Sequence, residues 1–162
     1  MKRIRRTVFA VAAAATALSA GGTLLPSVYH ATTSSCKSDK IYIDRHQRLM
    51  WQDAPYGDAE EDAYWRGKSY GKVGNAAYAK RYCENLIYGG YHDWRLPTSD
   101  ELMQLYRSQY QALHYPKEGD FWSSTPTQHR QRFVVYSIDA YRYKRNPRKS
   151  YYIRCVRCIE PR

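Results

Sequence analysis

Between residues 40 and 52 apolar and polar positions alternate with a period of two, in Lys40-Ile-Tyr-Ile-Asp44 and Leu49-Met-Trp-Gln52, with a polar turn between them. Side chains two apart share one face of a strand, so this pair predicts a β-hairpin. From Asn75 the period lengthens. Ala76, Ala79, Tyr82, Cys83, Leu86 and Ile87 recur at helical spacing behind Asn75 as N-cap, and Gly89-Gly90 stops the run. Thr98-Ser-Asp-Glu101 opens a second helix, with Leu102, Leu105 and Tyr106 on its apolar face. It is a capping box, in which the Thr hydroxyl and the Glu carboxylate satisfy free amides of the first turn. Strand-like runs return at residues 121–125, 133–139 and 151–159. Residues 53–74 are rich in Asp, Glu, Gly and Tyr without a sustained period and read as a long surface loop. No internal repeat is visible, and the element pattern is α+β.

The N-terminus belongs to another pattern. Lys2, Arg3, Arg5 and Arg6 precede an apolar stretch from Thr7 to Ala20, followed by Gly21-Gly22. A basic segment, about 7–15 apolar residues and small residues near their end form a secretory signal. Residues 1–20 are therefore expected to be a signal peptide, exported by the Sec rather than the twin-arginine route. Residues 21–39 read as a linker and 40–160 as one domain. No apolar run approaches the roughly 20 residues of a bilayer span, so the chain is not expected to span a membrane after signal cleavage. Export places the protein in the periplasm, at the cell surface or outside the cell.

The 162 residues hold 43% hydrophobic and 15% aromatic positions, too many for a disordered polyelectrolyte and enough for one core. The net charge of +11 is unevenly spread. Four basic residues lie in the expected signal; residues 36–127 hold 12 basic and 13 acidic positions, and residues 128–162 hold 10 basic and 2 acidic. The excess is therefore local to the C-terminal segment.

An oxidising compartment favours disulfides, and four cysteines allow three pairings. Cys155-Val-Arg-Cys158 has the spacing of a redox pair, but positions three apart in a strand point to opposite faces, and a thioredoxin-type βαβ order is missing. Pairing across the chain is preferred. His30, His46, His92, His114 and His129 make no metal-binding spacing, and no GxSxG or phosphate loop is present. No catalytic residue and no cofactor is assigned. Asp58, Glu60, Glu61 and Asp62 are a weak Ca²⁺ candidate through their hard oxygens, against the favoured reading of a solvated acidic loop.

The most specific blocks are Tyr82-Cys-Glu-Asn-Leu86, Gly90-Tyr-His-Asp-Trp-Arg-Leu-Pro-Thr98 with Glu101-Leu102, Phe121-Trp-Ser-Ser-Thr125 and Tyr152-Ile-Arg-Cys-Val-Arg157. Together with Leu49-Met-Trp-Gln52 they resemble the DUF1566 or Lcl C-terminal domain family over residues 40–158, nearly the whole expected mature chain. That family resembles the C-type lectin-like superfamily, and its RLPT block is similar to that of the formylglycine-generating enzymes. The resemblance implies a compact, disulfide-stabilised α+β domain with two helices beside a small, mostly antiparallel sheet and its ends close together. It also implies Cys83–Cys155 as the family's usual pair, leaving Cys36–Cys158 to tie the termini. Trp94 then supplies a large apolar body, Pro97 and Thr98 set a helix start, Arg95 forks to Asp93 or Glu101, and Trp122 packs among hydroxyl-to-backbone bonds. Formylglycine-generating activity is not expected, because the downstream cysteine region and the Asn-Val-x-Glu-Trp block of those enzymes are absent.

Binding remains. Tyr141-Arg-Tyr-Lys-Arg-Asn-Pro-Arg-Lys-Ser150 reads as an exposed hairpin loop that interleaves Tyr rings with cations. Guanidinium groups fork onto sulfate, phosphate or carboxylate, and phenol rings stack on sugars. The expected function is non-enzymatic binding of an anionic glycan or envelope polymer through Tyr141, Arg142, Tyr143, Lys144, Arg145, Arg148 and Lys149. The first alternative is an envelope structural or assembly protein with a protein partner, and the second a thiol oxidoreductase using Cys155 and Cys158. Nucleic acid would bind the patch in vitro, but export removes it as a physiological partner.

Overall fold

A computed structural model describes residues 39–128 and 130–159. The expected signal and all of the linker but Asp39 lie outside these residues, as do Cys36 and His129.

The described residues open with the hairpin of β1 (Ile41–Asp44) and β2 (Leu49–Gln52), antiparallel in the register Ile41↔Gln52 to Asp44↔Leu49. The Asp44 carboxylate shapes its turn by accepting from the amides of His46 and Gln47 at 2.9 and 3.0 Å. All four residues of β2 are buried, because β8 (Val156–Cys158) pairs along its other edge. The resulting sheet has the order β1-β2-β8 and joins the start of the domain to its end.

The expected loop at 53–74 is corrected: it contains α1 (Asp58–Trp65), so the described residues hold three α-helices instead of two. This helix is defined by its ends more than by an apolar stripe. At its start the Glu60 carboxylate accepts from the Gly57 amide at 2.8 Å, and Asp58, Glu60 and Glu61 favour the positive end of the dipole. At its end Lys68 N–H reaches Ala63 C=O and Gly67 N–H reaches Tyr64 C=O, with Gly67 at φ +63°. That is a Schellman closure, and the left-handed position is one that glycine takes without strain.

After β3 (Val73–Gly74), α2 (Ala76–Glu84) begins as expected, with Asn75 Oδ1 accepting from Tyr78 N–H at 2.9 Å. It stops earlier than expected. Asn85 caps it, which leaves Ile87 exposed, and Gly89-Gly90 instead turns the chain between Tyr88 and Tyr91. The next helix, α3 (Ser99–Ser108), carries both bonds of the capping box: Glu101 N–H to Thr98 Oγ1 at 3.2 Å and Thr98 N–H to Glu101 Oε2 at 2.8 Å.

The second sheet follows from β4 (Asp120–Pro126), β5 (Arg132–Tyr136), β6 (Tyr141–Arg145) and β7 (Tyr151–Tyr152), in the order β3-β7-β4-β5-β6. All its pairings are antiparallel except β4 with β7. Two further corrections concern this part. Residues 141–145 form an edge strand instead of a loop, and residues 151–159 are not one strand. Buried Ile153, Arg154 and Cys155 carry the chain from the five-stranded sheet into the three-stranded one.

Successive strand residues point to opposite faces, which gives the larger sheet two cores. Phe121, Val135 and Tyr152 meet Leu102, Leu105 and Tyr106, three residues of α3. Trp122 and Val134 meet Ala79 and Cys83 of α2, with Ile153 and Cys155. The Cys83–Cys155 disulfide crosses the second core. A bridge of this kind adds about 2–4 kcal/mol by restricting the unfolded chain. No helix among the described residues is long and apolar enough to cross a membrane.

Candidate functional site

The tyrosine and arginine residues expected on an exposed loop divide by environment. On β6, Arg142 lies over the Phe133 ring at 5.2 Å and approaches Asp100 at 3.4 Å. Arg145 Nε donates to Asp120 at 2.9 Å, and its guanidinium covers the Tyr143 ring at 5.1 Å. Tyr143 O–H donates to Asp139 at 2.6 Å, a bond that raises its pKa above the ordinary 10.0. Tyr141 is exposed beneath the Arg107 guanidinium. Arg142 and Arg145 therefore each face a carboxylate, whereas Lys144, Arg148 and Lys149 are exposed without an acidic partner among the described residues.

The segment after β6 is tied down at both ends. Pro147 C=O accepts from Ala76 N–H, the first amide of α2, at 3.0 Å, and Ser150 Oγ donates to Lys68 C=O at 2.7 Å. These bonds set Arg148 beside the outer face of α2. There an open groove of about 1200 Å³ runs between α2, the β4–β5 connection and the 146–149 turn. Lys80, Arg81, Arg95, Arg130, Arg132 and Arg148 line it, and among the described residues Glu84 is its one carboxylate. Lys80 lies 3.6 Å from Glu84, Arg95 is bound to Glu101, and Arg132 reaches Ser124 C=O at 3.4 Å. Arg81, Arg130 and Arg148 have no acidic partner among the described residues. The N-terminal end of α2 adds the positive end of its dipole to the same groove.

The motif residues form the wall behind this groove. Arg95 grips Glu101 through two bonds of 2.8 and 2.6 Å, choosing Glu101 over Asp93. Burial pushes the Glu101 carboxyl up, but its bonds to Arg95 and the Thr98 amide outweigh this and hold it below the usual range. Trp94 Nε1 donates to the carbonyls of Tyr88 and Tyr91, and Trp122 Nε1 donates to Gly74 at 2.7 Å. Ser123 Oγ donates to Phe133 C=O, Pro97 C=O accepts from Ser124 N–H, and Thr125 Oγ1 accepts from Ser99 N–H. Apart from the Arg95–Glu101 pair, each of these bonds engages a backbone group.

Residues 40–157 match the Lcl C-terminal domain family. The chain belongs to that family. Among solved structures the Yersinia pseudotuberculosis adhesin InvE is similar, at 16% identity and a TM-score of 0.49. The match covers 74% of this chain and 34% of the adhesin's, so this chain spans about a third of that protein. No curated protein matches.

Two sequence-based candidates lie elsewhere in this Lcl C-terminal domain. The acidic cluster does not converge: Glu60 holds Lys72 and the Gly57 amide, Glu61 meets Lys117 and Tyr152, and Asp62 pairs with Arg66. No described group of acidic, His or Cys side chains is arranged to hold a metal ion. Cys155 is buried and bonded to Cys83, so Cys155 and Cys158 are not joined to each other. Cys158 is exposed and has no disulfide partner among the described residues, with Arg95 Nη2 3.9 Å away, and the Cys36–Cys158 pairing falls outside the described residues.

Sequence reasoning missed Arg81, Arg130 and Arg132 as site residues. Their signal is weak, because a helix, a turn and a strand bring them together from distant parts of the chain.

Proposed function

We propose that this Lcl C-terminal domain is an exported, non-enzymatic binding module that takes an anionic glycan or envelope polymer into the groove beside α2. The supporting observation is the imbalance of that groove, in which six cationic side chains face one carboxylate and three of the six are unpaired among the described residues. An open trough suits an extended chain, and guanidinium forks match sulfate, phosphate and carboxylate alike. The binding surface is thus moved from the edge strand toward Arg81, Arg130 and Arg148, with Lys144 and Lys149 at its margin. The β2–β8 pairing, which draws the two ends of the domain together, supports the C-type lectin-like part of the reading.

Heparin chromatography tests it. Replacing Arg81, Arg130 and Arg148 together by Ser is expected to lower the eluting salt clearly, since each lost contact removes about one released counterion. Replacing Arg142 and Arg145 is expected to lower it little. The reverse ranking, or no change in either variant, would sink the proposal.

A second reading, a protein partner in the envelope, is favoured by the outer edge of β6, which has no strand partner among the described residues. An extended segment could add there by strand pairing.

A further inference from the structure

A second recess lies beside the edge strand β6. It holds about 320 Å³ and shares no lining residue with the groove beside α2. Tyr64 of α1, Asp120 at the start of β4, Tyr136 at the end of β5, Asp139 in the turn that follows, and Tyr143 and Arg145 of β6 surround a floor at Gly119.

The floor is fixed. Ser137 N–H donates to Gly119 C=O at 3.0 Å, and Ser137 Oγ accepts from Gly119 N–H at 3.1 Å while donating to Lys117 C=O at 2.8 Å. Gly119 has φ +146°, and a Cβ there would stand 2.5 Å from the Tyr152 ring, so glycine alone permits this close approach. The polar side chains are held as firmly. Asp139 accepts from Tyr141 N–H at 2.8 Å and from Tyr143 O–H at 2.6 Å, Tyr136 O–H donates to Glu118 at 2.6 Å, and Asp120 Oδ2 accepts from Arg145 Nε at 2.9 Å. Capacity is left over. Arg145 Nη1 and Nη2 and Asp120 Oδ1 have no hydrogen-bond partner among the described residues, although Asp120 is only 9% exposed.

This set of groups selects its occupant. Asp120 and Asp139, with Glu118 behind Tyr136, repel the sulfate or phosphate that the groove would take. A simple cation offers no acceptor to the free Nη–H groups of Arg145. An uncharged hydroxyl suits both kinds of group, because it donates to a carboxylate and accepts from a guanidinium through one oxygen. Neighbouring hydroxyls on one ring complement acceptor-only Asp120 and Asp139 around donor-only Arg145, and the phenols give the C–H face of such a ring an apolar wall. Ligand pockets run from about 300 to 1,000 Å³, so the recess has room for one ring rather than a chain. We infer that it is a second binding site, taking one uncharged pyranose residue of a saccharide. Its groups are already held in place, so little ordering accompanies binding. The site uses no residue of the polyanion groove and stands whether or not that groove binds.

Isotope-labelled protein is titrated with the methyl glycosides of glucose, galactose, mannose and N-acetylglucosamine, and separately with tetramethylammonium, while its amide resonances are followed. Expected with at least one glycoside are saturable shifts in the millimolar range at Gly119, Asp120 and Tyr143, insensitive to salt and to added heparin fragments. Asp139→Asn keeps an acceptor for Tyr141 N–H and should weaken binding about tenfold, the loss of one hydrogen bond to a charged group. Arg145→Lys keeps a cation for Asp120 without the fork and should remove the shifts. No saturable shift with any glycoside, affinity unchanged in both variants, or shifts with tetramethylammonium in place of the glycosides overturns the inference. The last outcome would make the recess a cation cage.

Discussion

Arg154 and Arg148 stand six residues apart in the same basic segment and play opposite parts. Arg154 is 1% exposed. Its guanidinium lies 5.6 Å from the centre of the Phe121 ring and donates to the carbonyls of Gln52 at 3.2 Å and Tyr115 at 2.8 Å. It also faces Asp53 at 3.4 Å, and that carboxylate in turn accepts from the amides of His114 and Tyr115. Arg157 behaves similarly: it is 7% exposed, bonded twice to Asp93 and stacked 4.0 Å over the Tyr91 ring. Arg148 has its backbone fixed and its charge in solvent. A count of basic residues therefore overstates the binding surface, because part of the charge is consumed in holding the fold. The difference lies in the carboxylates: Arg154 meets Asp53 and Arg157 meets Asp93, whereas Arg148 meets none among the described residues.

The inner arginine should be the costly one to remove. Arg154→Ala leaves Asp53 buried without its cation, and urea denaturation should show a loss of about 3–5 kcal/mol. If the loss stays below about 1 kcal/mol, a range typical of surface positions, the division into inner and outer arginines fails.

An intermediate effect belongs to Arg95, which lines the groove while its charge is held by Glu101. Glu101→Gln should cost about 1–2 kcal/mol, less than a fully buried pair because both side chains are partly solvated. The folded-state pKa of Glu101 is depressed below its ordinary 4.5, so its contribution is complete above that value and is lost as pH falls through the lower folded value. Asp93 adds a loss of the same sign below 3.8, through its bonds to Arg157. Thermal melts from pH 6 to pH 3 should fall less steeply for Glu101→Gln than for the parent. Parallel curves would mean that the pair is not what couples this wall to acid.

The smallest effect is expected outside. Arg148→Ser should change stability by no more than about 0.5 kcal/mol while lowering the salt needed to elute the protein from heparin. A large loss of stability would place Arg148 with the inner group.

The hairpin, the caps of α2 and α3 and the Cys83–Cys155 pair were legible because each rests on local chemistry or a specific motif. Asn75 and Thr98 are cap residues whatever lies around them. Helix α1 was not legible: its buried residues are Glu60 and Ala63, so no apolar stripe marks it. Gly57 followed three residues later by Glu60, and Gly67 past the end, were the signals available. Strand β6 was misread because at a sheet edge its residues are mostly exposed, and period-two burial has nothing to act on. The groove was beyond reach for a different reason. Its cations come from α2, β5, two turns and the segment before α3, and only the packing of those elements makes them neighbours.

The last strand carries a consequence for the order of events in making this protein. β8 fills the edge of β2, Arg95 bridges to Val156 through paired bonds of 2.8 and 2.9 Å, and Cys155 closes the disulfide to Cys83. A chain emerging N-terminus first has no partner for the second edge of β2 until residues 156–158 arrive. The domain is thus assembled by its final segment, and folding waits until nearly the whole chain has emerged.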